Sequence, residues 1–283
     1  MNAMCVFLRK WIMLQQIADL RDEAEELHRL LAILKANDWD RATLFKAWTL
    51  NDIVQHLHMG DAMGLASATD PAAFEALVAD IQSRRASGLS RLEETRQRLG
   101  HLTGAGLLDR WHQNLLQLCD ALAAKAPDAR LKWVGPDMGV RMFATARQME
   151  IWAHGQAIYD LLDIERPVPS SRLRNIAELG IRTFGWAYRN RNLPVPAAMP
   201  YVSLATPFDE TWEWNAPGHD NAVTGDAVAF CQVVTQTRNI ADTTLSTAGD
   251  TARHWMSIAQ CFAGPPETPP PPGTRHRLTV VPR

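Results

Sequence analysis

The sequence predicts an α+β protein in which an antiparallel helical bundle is followed by a smaller α+β domain. Over roughly the first 190 residues, apolar side chains recur at helical spacing in long segments that short links connect. A linker with three prolines comes next, and after it short segments alternate apolar and polar residues, as strands do. We therefore assign residues 1–192 to the bundle, 198–266 to the second domain and 267–283 to a proline-rich tail that is extended or loosely attached.

Six amphipathic segments predict the helices of the bundle. The clearest start is at Thr49, where a hydroxyl cap is followed three residues later by Asp52, as in a capping box. The next start, Thr69-Asp70-Pro71, places proline in the first turn, where its missing N–H is tolerated. The predicted helices cover about 14–35, 49–63, 72–99, 106–126, 140–162 and 170–188.

Short segments separated by turn residues predict the second domain. Strands are indicated by the alternating segments YVSLAT, TWEWN and NAVTG, at 201–206, 211–215 and 221–225. Helices are indicated by AVAFCQVVTQ and TARHWMSIAQCF, at 227–236 and 251–262. Residues 243–249 are expected only to separate the two helices.

Composition and sequence patterns argue against several classes of function. The 283 residues include 29 Lys and Arg against 31 Asp and Glu, so the chain lacks the basic excess that favours nucleic-acid binding. No apolar run reaches the roughly 18 to 20 residues that span a bilayer. The apolar N-terminus contains a basic pair and no small-residue cleavage site, which argues against a secretory signal. We expect a small-molecule substrate and neither a nucleic-acid nor a membrane partner.

The cysteines indicate a reducing compartment. Cys5, Cys119, Cys231 and Cys261 lie far apart, with no C-x-x-C pair and no dense framework. This spacing favours reduced thiols in the cytoplasm over disulfide bonds. Cys119 is expected to be a small buried apolar residue, because no neighbour in the sequence would activate it as a nucleophile.

Two helices carry the residues with the clearest chemical potential. Glu150 and His154 are four residues apart in the helix predicted at 140–162, so they share one face, about 5–6 Å apart at Cβ. His56 lies in the helix that opens at Thr49. If these helices pack together, two imidazoles and one carboxylate can hold a zinc ion with its fourth position open. From spacing alone, ordinary core or surface histidines are the simpler interpretation.

Two motifs carry a family resemblance. The segment from Thr49 to Leu57 contains D-I-V-x-H-L, and R-x-x-E-x-W-x-H-G begins at Arg147. Both are similar to motifs of DinB-like metal-binding bundles, and most closely to the branch that contains mycothiol-dependent maleylpyruvate isomerase. Further along, GDAVAFCQVVTQTRN and W-x-x-I-A-Q-x-F-A-G-P-P resemble the small α+β domain fused to these bundles. The ending at 257–266 is more similar to an uncharacterised metal-binding subgroup, so the substrate does not carry over.

The resemblance implies a divalent metal, usually zinc, bound by His56, Glu150 and His154 with water completing the shell. It also implies a low-molecular-weight thiol, mycothiol or glutathione, as cosubstrate. Isomerase activity in the family depends on a basic residue of the C-terminal domain, for which Arg238 is our candidate; a solvated arginine at a helix end is the alternative. Arg147 can pair with Glu150, hold a substrate carboxylate, or form a plain surface salt bridge.

These expectations give one leading hypothesis and two alternatives. The leading hypothesis is a zinc-dependent transferase or isomerase that uses a small thiol and acts on a small carboxylate-bearing electrophile. The alternatives are a non-catalytic module that binds or senses a small ligand, and a hydrolase that uses metal-bound water. DinB-like bundles are often homodimers, but the sequence carries no identifiable interface signature, so the oligomeric state is left open.

Residues next to the motifs receive structural interpretations. His58 is two positions from His56 and about 200° around the helix, so we expect it at the surface or at an interface and not on a shared metal. Asp52 can orient His56, although its capping role already accounts for it. Trp48 and Trp152 are expected to be core aromatic residues.

Overall fold

The structure is a computed structural model that describes residues 3–126, 128–218 and 220–275, with side chains described from residue 15 onward. The chain forms two compact units, Met1–Gly155 and Gln156–Arg283, which are described in turn. The division falls inside one long helix, whereas the sequence places the end of the bundle at residue 192. The predicted fold class, a helical N-terminal part followed by a smaller α+β part, is confirmed.

The first unit is built almost entirely of helices. A short 3-10 turn and a two-stranded antiparallel ladder, β1 (Arg130–Leu131) with β2 (Met138–Gly139), complete it. Its helices are α1 (Ala3–Ala32), α2 (Leu50–Thr69), α3 (Pro71–Ala86), α4 (Arg91–Leu99), α5 (Gly104–Ala123) and α6 (Val140–Leu162), the last of which continues into the second unit. The predicted bounds of α6 are those observed.

The start of α2 follows the prediction in atomic detail. The Oγ1 of Thr49 accepts a hydrogen bond from the N–H of Asp52 at 3.2 Å, and Oδ2 of Asp52 accepts one from the N–H of Thr49 at 2.8 Å. Both belong to the N–H groups that no helical carbonyl can satisfy at a helix start. The capping box therefore fixes where the helix that carries His56 begins.

The single helix predicted over 72–99 is wrong, because the chain breaks it into α3 and α4. Gly88 adopts a φ of 99°, a left-handed value that ends α3 and that glycine reaches without steric cost. Ser90 then begins α4 through a second capping box with Glu93. The amphipathic pattern continues across the break, which is why periodicity alone does not reveal it.

The core of the first unit lies where α5 packs against both α2 and α1. Fully buried side chains from all three helices meet there, so each removes apolar surface from water at about 1.5–3 kcal/mol per large side chain. The largest of them are Leu20, Leu27, Leu31, Ile53, Leu57, Leu107 and Trp111. This packing brings the polar faces of α1 and α5 to neighbouring positions at the surface.

The second unit combines a mixed four-stranded sheet with short helices. The strand order is β4-β3-β5-β6, in which β3 pairs antiparallel with β4 and parallel with β5, and β5 pairs antiparallel with β6. The strands are β3 (Tyr201–Ala205), β4 (Thr211–Trp214), β5 (Ala222–Asp226) and β6 (Ser246–Ala248). The helices are α7 (Ser170–Arg182), α8 (Phe184–Arg189), α9 (Ala227–Val234) and α10 (Asp250–Ile258).

Three features of the second unit differ from the prediction. The helix predicted to run to Tyr188 is divided at Thr183, whose Oγ1 donates to the carbonyl of Leu179 at 2.7 Å. The segment 243–249, expected to be a separator, contains β6, which is too short for a periodic signal. The beginning of the tail is bound through backbone groups, because Gln236 donates to the carbonyl of Glu267. Residues 276–283 of the tail lie outside the described residues.

None of the described helices combines the length and the apolar character needed to cross a membrane.

Candidate metal centre

The structure brings the three predicted ligand side chains together. Glu150 and His154 extend from one face of α6, and His56 reaches them from α2. The Oε2 of Glu150 lies 3.5 Å from Nε2 of His56 and 3.4 Å from Nε2 of His154. The ligand atoms of all three residues lie within 4.8 Å of one another. We refer to these residues as the α2–α6 triad.

The spacing of the triad fits a metal better than it fits simple hydrogen bonding. Zinc bonds of about 2.0–2.1 Å in a tetrahedron place neighbouring ligand atoms about 3.4 Å apart. A nitrogen–oxygen hydrogen bond of ordinary strength is about 2.7–3.2 Å long. The two distances from Glu150, at 3.5 and 3.4 Å, are longer than that range and match the tetrahedral edge. Two imidazoles and one carboxylate are also a donor set that zinc uses with its fourth position open.

The electrostatics of the triad favour the protonation states that bind metals. Burial lowers the pKa of His56 to about 4, with a further contribution from His154, while Glu150 opposes the change. Burial by itself would raise the pKa of Glu150, but its interactions with the imidazoles of His154 and His56 outweigh burial and hold that pKa well below its usual value. At neutral pH His56 is therefore a neutral imidazole and Glu150 a carboxylate, which are the ligating forms.

Aromatic rings from the loop before α2 cover the histidines. The indole of Trp48 stacks parallel to the ring of His154, with centroids 5.7 Å apart, and contacts His56 edge-on at 5.4 Å. Phe45 meets His154 at a right angle, with centroids 5.0 Å apart. Trp48 is buried, as predicted for a core aromatic residue, and it also shields one side of the triad. The prediction for Trp152 is likewise confirmed, because its side chain is buried.

The same loop stores backbone strain. Lys46 and Ala47 both have left-handed φ values, of 51° and 55°, which cost a non-glycine residue about 1–3 kcal/mol each. The loop is held in this form by Thr43, whose N–H and Oγ1 both donate to the carbonyl of Trp48, at 2.8 and 2.9 Å. This strain lies next to the rings that cover the triad, which is where a functional requirement would be expected to maintain it.

Arg147 is buried, so the prediction of a plain surface salt bridge is wrong. Its Nε donates to Oδ1 of Asp61 at 2.8 Å, and the indole of Trp111 donates to Oδ2 of the same carboxylate at 2.9 Å. Gly60 makes room for this arrangement, because a Cβ added there would lie 2.6 Å from Nη2 of Arg147. Burial by itself would lower the pKa of Arg147, but the charges of Asp61 and Glu150 outweigh burial and raise that pKa.

Asp61 is a residue that sequence reasoning missed. Its side chain is fully buried on α2, between the apolar residues Met59 and Met63. A lone carboxylate within an apolar helical segment is the signal that was available, because such a group is rarely buried without a cationic partner. The sequence did not show which cation would reach it.

Two other interpretations of residues on α2 are decided by the structure. Asp52 serves the capping box and receives two hydrogen bonds from Arg96, at 2.6 and 2.7 Å, so the capping interpretation is confirmed. His58 is buried, so the expectation of a surface position is wrong. Burial, with a contribution from Arg110, lowers the pKa of His58 to about 4.

Arg238 belongs to the second unit and does not extend into solvent. Its Nη2 donates to Oδ1 of Asp160 at 2.7 Å and its Nη1 donates to the carbonyl of Thr237 at 2.9 Å. Its side chain is buried, so the alternative of a solvated arginine is wrong. Its catalytic role stays a prediction.

The described cysteine side chains do not supply a reactive thiolate. Cys119, Cys231 and Cys261 are buried thiols. Burial raises the pKa of Cys119 to about 12 and that of Cys231 well above its usual value. Cys119 is thus the small buried residue that was predicted. The side chain of Cys5 lies outside the described part of the chain.

Comparison with known proteins identifies the family. Residues 20–159 match the sequence model described as the mycothiol maleylpyruvate isomerase N-terminal domain, and this range includes the whole α2–α6 triad. The chain belongs to this family. Two relatives that are similar to this chain along most of their length are uncharacterized proteins from two strains of Mycobacterium tuberculosis. Each is 37% identical over 250 residues, which cover 88% of this chain and 96% of the relative.

A solved structure shares the fold of this chain. It is a crystal structure of the mycothiol-dependent maleylpyruvate isomerase in which a histidine is mutated to alanine. The likeness covers 83% of this chain and 92% of that chain, with a TM-score of 0.52 and 14% sequence identity. It extends beyond residues 20–159, so the fold of the family is shared by more of the chain than the N-terminal domain alone.

Proposed function

We propose that this protein is a zinc-dependent transferase or isomerase that uses a low-molecular-weight thiol and acts on a small carboxylate-bearing electrophile. The observation that carries the proposal is the approach of three metal-ligating side chains in the α2–α6 triad. A divalent metal bound by these residues would lower the pKa of a coordinated thiol, so that the thiol is a thiolate at neutral pH. Membership in the mycothiol maleylpyruvate isomerase family makes mycothiol the first thiol to test, with glutathione second.

The charges of the triad suit a thiolate as the remaining ligand. Imidazoles that ligate a metal are neutral and a ligating carboxylate carries one negative charge, so a divalent ion bound by the triad keeps a net positive charge. The aromatic side chains of Trp48 and Phe45 exclude water from one side of the histidines. An anionic sulfur would be held more strongly in such a partly desolvated site than in bulk water.

The thiol has to come from outside the described chain. Cys119 and Cys231 are buried, and their raised pKa values keep them protonated near pH 7. A cosubstrate thiolate can add to a conjugated carbon–carbon double bond of the electrophile, and its later elimination returns the thiol with the bond isomerised. Displacement of a leaving group by the same thiolate would instead give a transferase product.

An arginine would hold the carboxylate of the electrophile, and Arg147 and Arg238 are the residues we propose for this role. Both guanidinium groups already pair with a carboxylate of the chain, Asp61 and Asp160 respectively. Nη2 of Arg147 is buried and has no hydrogen-bond partner among the described residues, so it can still donate a hydrogen bond to a ligand oxygen. The buried thiols of Cys119 and Cys231 fit our proposal that the protein works in the cytoplasm.

The test combines metal analysis with a thiol panel. Protein purified without chelators is analysed for zinc and then assayed with mycothiol, glutathione, bacillithiol or cysteine against maleylpyruvate-like and halogenated electrophiles. We expect consumption that requires both metal and thiol, and a loss of at least about 100-fold in Glu150→Ala. The exposed His101 offers a matched control, since His101→Ala removes an imidazole that contacts neither Glu150 nor His56.

The outcomes separate the competing functions. Metal-dependent turnover that ignores added thiol would indicate a hydrolase, and saturable binding without turnover would indicate a ligand-binding module. Either result would contradict the thiol-dependent proposal. Retention of activity in Glu150→Ala would show that the α2–α6 triad is not the site of the chemistry.

A further inference from the structure

A second cluster of the same composition lies on two other helices. Glu25 and His28, three residues apart on α1, meet His112 of α5. The Nε2 of His112 lies 2.8 Å from Oε1 of Glu25, and the ligand atoms of all three residues lie within 4.8 Å of one another. None of these residues belongs to the α2–α6 triad. We refer to them as the α1–α5 triad.

The two histidines of this cluster are close enough to share a ligand. Their rings stack with centroids 4.1 Å apart and an interplanar angle of 25°. Two protonated imidazoles would repel each other at this distance, so the arrangement is stable only when at least one ring is neutral. Burial lowers the pKa of His28, and His112 adds to the effect against the opposing charges of Glu25 and Asp109.

The cluster can be reached from solvent. The side chain of Glu25 is 36% exposed and that of His112 is 18% exposed. An ion can therefore enter without the opening of the helical core. A second carboxylate is close by, since Asp109 is one turn before His112 on α5 and acts on His28.

We propose that Glu25, His28 and His112 form a second divalent-metal site, selective for zinc among the common cellular cations. Imidazole nitrogens and a carboxylate oxygen are donors that zinc prefers, whereas magnesium and calcium take oxygen ligands almost exclusively. The present Glu25–His112 hydrogen bond is shorter than the edge of a zinc tetrahedron, about 3.4 Å. Zinc would therefore take the place of this hydrogen bond and link the two side chains through the metal.

The expected role of this site is to fasten α1 to α5. The two helices are already joined at the surface by the Glu25–His112 hydrogen bond and by the ion pair between Arg21 and Asp120, at 2.7 Å. A metal bound to residues on both helices would replace the hydrogen bond with bonds to the ion, and metal binding to the folded state alone raises its stability by mass action. The site does not depend on the proposed catalytic function, because it uses other residues on other helices.

The experiment is a competitive zinc titration of the metal-free, full-length protein against a chromophoric chelator. We expect the wild type to bind two equivalents of zinc, and His112→Ala and His28→Ala to bind one. His56→Ala should lose the other equivalent, and the double variant His56→Ala/His112→Ala should retain none. The matched control His101→Ala, at an exposed position, should retain both. Circular dichroism verifies that each variant is folded.

A second measurement distinguishes loss of the metal site from loss of folding, because it looks for a signal that is gained. In His112→Cys, cobalt bound at this position should show the charge-transfer absorption of a thiolate ligand, which the wild type lacks. The proposal is overturned if His112→Ala binds as much zinc as the wild type, or if the absorption band is absent from His112→Cys. Loss of zinc from His56→Ala alone would support the α2–α6 triad and contradict the second site, so the two proposals fail separately.

Discussion

The α2–α6 triad and the α1–α5 triad each contain two histidines and one glutamate, in different surroundings. In the first, the carboxylate stands 3.4–3.5 Å from both histidines, and aromatic rings cover the imidazoles. In the second, the carboxylate makes a direct 2.8 Å hydrogen bond to one histidine, and the two imidazoles stack on each other. The comparison shows that donor identity alone does not assign a role. Our proposals, chemistry at the α2–α6 triad and a link between helices at the α1–α5 triad, therefore rest on the surroundings of each triad.

The ion pairs beside the two triads also differ in their exposure to water. Next to the α2–α6 triad, Arg147 and Asp61 form an ion pair that is removed from water, with the indole of Trp111 as a further donor. On the α1–α5 side, Arg21 and Asp120 form an ion pair with both side chains well exposed. Breaking a buried pair leaves a charge without compensation, whereas breaking an exposed pair returns both charges to water.

The largest expected effect follows from this contrast. Asp61→Asn leaves the buried guanidinium of Arg147 without a counter-charge, and we expect it to lower the free energy of unfolding by about 3–5 kcal/mol. The matched control is Asp120→Asn, the same substitution in an exposed pair, for which we expect a loss below about 1 kcal/mol. Urea denaturation measures both values. Equal losses in the two variants would contradict the distinction drawn between the two sides of the bundle.

A smaller effect is expected in the rate of metal release. Zinc should leave the α1–α5 triad about tenfold faster than the α2–α6 triad, because only the latter is covered by Trp48 and Phe45. Mixing the zinc-loaded protein with a chelator and following release over time should give two phases. The fast phase should be missing from His112→Ala and the slow phase from His56→Ala. Release in one phase from the wild type, at a single rate, would argue against different surroundings.

The smallest effect concerns the start of α2. Burial opposes ionisation of Asp52, but the hydrogen bonds from Arg96 and Thr49 outweigh burial and lower its pKa. A carboxyl group whose folded pKa is depressed stabilises the protein above its unfolded pKa, about 3.9, and this contribution is lost as the pH falls through the folded value. Asp52→Asn should therefore reduce stability by about 1 kcal/mol at pH 7, and the difference from the wild type should shrink below about pH 4.

The start of α5 provides the control for that prediction. Thr103, at the N-cap of α5, makes no side-chain capping hydrogen bond. Thr103→Ala should consequently change the unfolding free energy by less than about 0.5 kcal/mol, with no dependence on pH between 2 and 7. A pH-independent loss in Asp52→Asn would show that the carboxylate acts through shape and not through its charge.

Much of the fold could be predicted because it depends on neighbours in the sequence. The capping box of Thr49 and Asp52 and the bounds of α6 follow from local hydrogen bonding and helical periodicity. The break at Gly88 and the short strand β6 were missed, since a turn within an amphipathic pattern and a three-residue strand give weak periodic signals.

The candidate sites show where prediction from the sequence stops. Glu25 and His28 share a helix face by the same argument that pairs Glu150 with His154, yet nothing in the sequence connects them with His112. The sequence likewise did not indicate that Asp61 is the partner of Arg147, because the two residues are 86 positions apart. In each case the missing information was which helix packs against which.

By itself, the sequence determined what lies within a few residues along the backbone: where α2 begins, the bounds of α6, and that Glu150 and His154 share one face of that helix. The backbone periodicity of 3.6 residues per turn fixes such relations without reference to the rest of the chain. Only the tertiary structure decided that His56 would reach this pair, that Arg147 would be neutralised by Asp61, and that Arg238 would be buried against Asp160. These contacts join residues that are distant in sequence, and they exist because packing of apolar faces selects one arrangement of the helices among many.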